Sequence, residues 1–113
     1  MKAVFIDSKN KTVTDVEIPE KGTLEAWYNK LGCSMVEVAM YINEKDSIIV
    51  DEEGLMNIQG DSVFFSFEGN QPLVGNGLIV GSNKIGETIS PIVTAYDVRE
   101  KVLFLSLREV QGQ

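Results

Sequence analysis

Two sets of residues have the types and spacing to bind an anion. The tripeptide Gly75-Asn76-Gly77 can form a turn whose successive backbone N–H groups bind a phosphate. The two arginines of the chain, Arg99 and Arg108, could each donate paired hydrogen bonds to a phosphate. Each set also has a structural interpretation, because a tight turn needs glycine for its positive φ and an arginine can balance a surface carboxylate. The sequence leaves both interpretations open.

A run of three acids, Asp51-Glu52-Glu53, could bind a hard cation through carboxylate oxygens. A calcium loop ends on a glutamate at its twelfth position, but the twelfth residue counted from Asp51 is Ser62. The run therefore indicates an acidic turn at the end of a strand. The other acids show no spacing that singles out a general acid and a general base. We expect neither a metal site nor a cofactor.

The composition excludes several classes of enzyme. The chain has 113 residues, no histidine and a single cysteine, Cys33. These counts exclude histidine-based triads, histidine-ligated zinc and disulfide frameworks, so we expect a non-enzymatic protein in a reducing cytoplasm. The formal net charge of −7 argues against binding to nucleic acid, whose phosphates need basic partners. We find no membrane-spanning stretch and no signal-peptide pattern.

Alternating apolar residues predict a β-hairpin followed by a helix at the start of the chain. Lys2–Asp7 and Thr12–Ile18 form the two strands of the hairpin. The helix is capped by Thr23, carries apolar residues at helical spacing up to Leu31, and is followed by Gly32, which suits a left-handed backbone. The apolar face of this helix is expected to pack on a sheet.

A second hairpin is predicted after the helix. Its strands are Met35–Ile42 and Ser47–Val50, joined by a polar turn. Simple alternation places four apolar side chains on one face of the first of these strands: Val36, Val38, Met40 and Ile42.

The second half of the chain predicts three more strands and a short helix. The strand Val63–Phe67 has large apolar groups on both faces, so it is either a central strand covered on both sides or one whose outer face meets a partner subunit. Leu78–Val80 is a short strand, the helix begins near Thr94, and Leu103–Leu107 reads as the last strand. The prediction is a single α+β domain over residues 1–113, with a mainly antiparallel sheet and two short helices.

Five segments carry a resemblance to a known family: Lys2–Asp7, Leu31–Cys33, Val36–Val38, Ile49–Leu55 and Gln71–Gly81. With these segments the chain resembles small proteins of unknown function that are encoded by bacteriophages, prophages and plasmids. More loosely, it is similar in size and composition to phage anti-defence sponges, including those that oppose Thoeris immunity. Such sponges bind cyclic nucleotide or cyclic ADP-ribose signals without cleaving them.

The resemblance implies an accessory protein of a mobile element that blocks host defence. We expect a homo-oligomer that sequesters a nucleotide-type immune signal, with Gly75, Asn76 and Gly77 near its phosphate or ribose. The remaining predicted binding residues are two cationic clamps and an exposed aromatic under the base, namely Arg99, Arg108, and Phe64 or Tyr96.

The alternative is an acidic inhibitor that binds a host defence enzyme directly, for example as a DNA mimic. Asp51, Glu52 and Glu53 would form part of its acidic face. Binding of this kind weakens steeply as the salt concentration rises.

Overall fold

Two antiparallel sheets form most of the structure. The computed structural model describes residues 1–20 and 23–112. In chain order the elements are β1 (Lys2–Asp7), β2 (Thr12–Glu17), α1 (Thr23–Leu31), β3 (Val36–Tyr41), β4 (Asp46–Asp51), a 3₁₀ helix (Gly54–Asn57), β5 (Val63–Phe67), β6 (Leu73–Val74), β7 (Gly77–Ser82), β8 (Thr88–Ile89), α2 (Ala95–Arg99), β9 (Val102–Ser106) and α3 (Leu107–Gln111).

The larger sheet has the strand order β2-β1-β7-β4-β3, and β8 pairs with the C-terminal end of β7. The smaller sheet has the order β6-β5-β9. All of these pairings are antiparallel. The predicted α+β domain with a mainly antiparallel sheet is therefore confirmed.

Both predicted helices are present, and the described residues contain a third. α2 begins after Thr94, whose hydroxyl and backbone N–H form a reciprocal capping box with Asp97. The third helix, α3, begins after Ser106, which forms the same kind of box with Glu109. The sequence did not predict α3, because the apolar residues before Ser106 extended the predicted strand to Leu107. No helix within the described residues is long and apolar enough to cross a membrane.

Side chains of the larger sheet alternate between two apolar layers. In β1, Val4 and Ile6 face the smaller sheet, whereas Ala3 and Phe5 face α1. Trp27 of α1 packs into the second layer. The alternation predicted for this strand and the packing predicted for α1 are both confirmed.

Strand β3 contains a β-bulge at Ala39. Its register against β4 shifts between Val38 and Met40. Val36 packs in the layer under α1, whereas Met40 and Ile42 pack in the layer between the sheets. The prediction that the four apolar residues of this strand share one face is therefore wrong, because the extra residue reverses the alternation.

Strand β5 is the middle strand of the smaller sheet. Phe65 and Phe67 face the larger sheet and are buried in the layer between the two sheets. Phe64, on the opposite face, is only 3% exposed, and α3 lies against β5 and β9. Of the two interpretations of this segment, the central strand covered on both sides is the one observed.

Candidate functional site

A groove opens where β3, an edge strand of the larger sheet, passes β6, an edge strand of the smaller sheet. Its volume is about 390 Å³. Its lining consists of Glu37, Ala39, Met40, Val50, Asp51, Glu52, Leu55 and residues 70–74, and we call it the edge groove. Because its walls come from both sheets, the edge groove forms only when the sheets pack together.

The floor of the edge groove is apolar. Val50 is buried, and Met40 and Leu73 are half-buried side chains that pack against the core between the sheets. Leu55, in the 3₁₀ helix at the rim, is 70% exposed. The floor therefore continues the hydrophobic core to the surface and could bury the apolar part of a ligand.

Three acidic residues line the edge groove. Glu37 lies on β3, Asp51 ends β4, and Glu52 follows it. The β3–β4 register pairs Glu37 with Val50 on the groove face, whereas Asp51 pairs with Val36 at the end of β4 and lines both the edge groove and the smaller cavity beside it. Within the described part of the chain, none of the three carboxylates forms an ion pair with a lysine or arginine. The edge groove therefore carries uncompensated negative charge.

These carboxylates do not form a metal centre. Asp51 Oδ1 accepts a hydrogen bond of 2.9 Å from the backbone N–H of Glu53, which holds the acidic turn in place. No group of three or more Cys, Asp or Glu side chains within residues 1–20 and 23–112 is placed to hold a metal ion. The acids can therefore attract a cationic group of a ligand, but they are not arranged as a coordination sphere.

A smaller cavity of about 170 Å³ adjoins the edge groove. The two cavities share Asp51 and Val74 in their linings. The smaller cavity is also lined by Gly75 and Asn76, two of the residues predicted to bind a ligand, and by Asn57. This cavity is where the predicted Gly-Asn-Gly turn meets the acidic run.

The Gly-Asn-Gly turn connects the two sheets. Gly75 has a φ of +78° and donates its N–H to Val63 O at 2.8 Å. Ser8 donates its hydroxyl to Gly75 O at 2.5 Å and its backbone N–H to Asn76 Oδ1 at 2.9 Å. A Cβ on Gly77 would lie 2.6 Å from Cζ of Phe65. The structural interpretation of the turn therefore accounts for all three residues, and the Gly75 N–H is not available to an anion.

The two arginines lie on different helices. Arg99 Nη2, on α2, donates a hydrogen bond of 2.8 Å to Val13 O of β2. Arg108 lies exposed on α3. Neither arginine lines the edge groove, the smaller cavity beside it, or a third cavity near Met1.

Of the two aromatic candidates, only Tyr96 presents its ring to solvent. Tyr96 lies on α2 and is 72% exposed, whereas Phe64 is buried beneath α3. Neither residue lines one of the three cavities. Among the predicted site residues, the cavities therefore bring together Gly75 and Asn76 but not the arginines or the aromatics.

Residues 1–101 match the family model described as DUF3846, a domain of unknown function. The chain belongs to the DUF3846 family. No curated protein and no solved structure matches it. In this DUF3846 domain the edge groove lies entirely within the matched residues, whereas Arg108 lies beyond them.

The single cysteine of the DUF3846 domain lies near the acidic turn. Burial raises the pKa of the Cys33 thiol, and the negative charge of Asp51 raises it further. A backbone hydrogen bond from Met35 opposes this rise, and the charge of Glu53 adds to it. The thiol therefore stays protonated near neutral pH, as expected for an unreactive cysteine.

Two residues that complete the edge groove, Glu37 and Leu55, were not among the predicted site residues. Glu37 was not recognised as a partner of the acidic run, although its alternation with Val36 and Val38 places it on the opposite face of β3. The exposed Leu55 was likewise not singled out. The alternation could have identified Glu37, but the approach of β6 to β3 depends on packing between two sheets.

Proposed function

We propose that this DUF3846 domain is a non-enzymatic binding module that captures a basic segment of another protein in the edge groove. The observation that carries the proposal is a groove with an apolar floor and three acidic lining residues, none of which forms an ion pair with a cationic side chain among residues 1–20 and 23–112. A polypeptide segment with both apolar and basic side chains complements such a surface, because the floor buries its apolar groups and the rim attracts its charges.

Charge favours a basic protein over a nucleotide as the occupant. A phosphate in the edge groove would approach Glu37, Asp51 and Glu52, and like charges brought together in a partly buried site repel. The N–H of Gly75 is already bonded, and the guanidinium of Arg99 is bonded to β2. Sequestration of a nucleotide signal therefore stays a prediction, and the experiment below includes it.

The proposal extends to a biological setting through the family resemblance. An accessory protein of a phage or another mobile element would use the edge groove to bind a host defence enzyme in the host cytoplasm. The acids would hold a basic surface segment of that enzyme and so block its action. A homo-oligomer stays a prediction too. The acidic groove is not where we place its self-contact, because two copies of a chain with net charge −7 repel each other.

The test begins with selection of binders from a random peptide display library. We expect the selected peptides to be enriched in lysine or arginine together with apolar residues. Calorimetry then compares the wild type with the groove variant Glu37→Gln/Asp51→Asn/Glu52→Gln. Each lost rim charge contributes about 0.5 to 1 kcal/mol, so the three together should lower affinity about tenfold to a hundredfold.

The matched control neutralises three exposed acids outside the edge groove: Glu25, Glu44 and Glu100, each changed to Gln. Both triple variants change the net charge of −7 by the same three units. Equal losses in the two variants would show that only overall charge matters and would contradict the proposal. Cyclic dinucleotides and cyclic ADP-ribose are titrated in parallel. If one of these nucleotides binds tightly to both the wild type and the groove variant, sequestration of a nucleotide signal is favoured over binding of a basic segment.

A further inference from the structure

We infer that the basic segment binds as an added β-strand along the free edge of β3. This inference rests on the proposed function, since it concerns how the edge groove holds its partner. Strand β3 is the last strand in the order of the larger sheet, and among the described residues it pairs only with β4. An edge strand leaves a row of N–H and C=O groups unpaired, and an extended peptide can pair with them.

The opposite edge of the larger sheet is covered. There, α2 lies against β2, where Val13 O accepts the Arg99 guanidinium and Asp15 Oδ1 accepts the N–H of Ala95 at 3.0 Å. In the smaller sheet, β6 has two residues, and β9 lies on the far side of β5 from the edge groove. The edge of β3 is therefore the one that combines length with an adjoining acidic groove.

The sequence of β3 does little to protect its edge. It has no proline and no lysine, the residues that commonly block pairing with another chain. Val38 is 45% exposed and Tyr41 is 69% exposed. The bulge at Ala39 divides the strand and restricts the register that an added segment can adopt.

The two faces of β3 define the chemistry of the added segment. Glu37 and Ala39 line the edge groove, whereas Val36 packs on the α1 side, where Val38 is exposed. Side chains of an added strand alternate in the same way. One face of the segment would therefore carry lysine or arginine toward the groove carboxylates, and the other would carry β-branched residues beside Val38.

The experiment uses the full chain and the tightest peptide from the display selection. The peptide is resynthesised with a single N-methyl group at each backbone nitrogen in turn. If it binds as a strand, N-methylation at alternate positions should weaken binding about tenfold or more, because every second N–H donates to β3. The intervening positions point away from β3 and should tolerate the methyl group.

A second measurement locates the contact on the protein. Amide hydrogen exchange should slow at alternate residues of β3 when the peptide binds, and exchange in β9, the edge strand used as the control, should stay unchanged. If N-methyl sensitivity has no two-residue period, or if β9 becomes protected instead, strand addition to β3 is overturned. The proposed function still stands in that case, provided that the groove variant loses affinity and the matched control does not.

The remaining outcomes also decide the matter. If the outward amides of β3 are protected in the free protein and lose this protection on dilution, a second copy of the chain occupies the edge, and the inference is wrong. If no selected peptide depends on Glu37, Asp51 and Glu52, the proposed function and the strand addition fail together.

Discussion

Both carboxylate oxygens of Asp46 accept the backbone N–H of Ile92, each at 3.0 Å, across 46 positions of the sequence. Asp46 is fully buried at the start of β4, and it also accepts the N–H of Val93 at 3.1 Å and the side-chain amide of Asn43 at 2.9 Å. A buried charge is tolerated when its oxygens receive this many hydrogen bonds. Asp46 therefore joins β4 to the segment that leads into α2.

We predict that Asp46→Ala lowers the free energy of unfolding by about 2 to 4 kcal/mol, because it leaves several part-buried donors without their acceptor. Urea denaturation followed by circular dichroism measures the loss. The control is Asp61→Ala, at an exposed position, which should change stability by less than about 0.5 kcal/mol. A similar small change for Asp46→Ala would show that these hydrogen bonds contribute little.

Gly77→Ala should also destabilise the protein, by about 1 to 3 kcal/mol, because the new Cβ meets the fully buried ring of Phe65. Gly60→Ala is the matched control, since a Cβ there has no atom within 4 Å. Thermal unfolding of both variants gives the comparison. If the ring is the cause, the cost of Gly77→Ala should shrink when Phe65 is replaced by Leu in the same chain. An unchanged cost in that background would point to another cause.

The thiol of Cys33 offers a direct measure of the charge beside the edge groove. Its pKa is raised by burial and then by Asp51, so the rate of alkylation by iodoacetamide should rise with pH at a higher midpoint than for a free thiol. Asp51→Asn removes the negative charge and should lower that midpoint. The control, Asp61→Asn, removes a charge that is not among the causes of the raised pKa and should leave the midpoint unchanged. Identical midpoints in wild type and Asp51→Asn would contradict this account.

The pKa of Glu109 provides a test of the α3 cap. Its carboxylate is stabilised by the backbone N–H of Ser106 and by the hydroxyl of the same residue, which together lower its pKa. A carboxyl whose pKa is depressed by folding stabilises the protein above its unfolded pKa. That contribution is lost as the pH falls through the folded pKa. A carbon-detected NMR titration should therefore show Glu109 titrating below an ordinary glutamate, and Ser106→Ala should move it part of the way back. An ordinary pKa in the wild type would mean that the box does not form in solution.

Local signals explain what the sequence could predict. The helix start near Thr94, the glycine at position 32 and the alternation of β1 depend on residues within a few positions of one another, and the sequence predicted all three. The apolar groups on both faces of Val63–Phe67 allowed a central strand as one of two interpretations, and its pairing with β6 and β9 decides between them.

The edge groove depends on relationships that a single sequence does not display. Glu37 comes beside Val50 through the β3–β4 register, and the bulge at Ala39 decides which side chains of β3 face the floor. Leu73 reaches the same groove from another sheet. Buried Phe64 could not be distinguished from an exposed aromatic, because the helix that lies against β5 and β9 was not predicted and its first residue, Leu107, was assigned to the last strand.

Only Gly75 and Asn76 separate β6 from β7, and hydrogen bonds tie both of them to neighbouring strands or turns. Because this connection is short and hydrogen-bonded, we expect it to limit movement of the two sheets relative to each other. We therefore expect the gap between β3 and β6 to keep its width when a partner binds. A ligand must then fit that width, and the DUF3846 domain should lose little conformational entropy when the ligand binds.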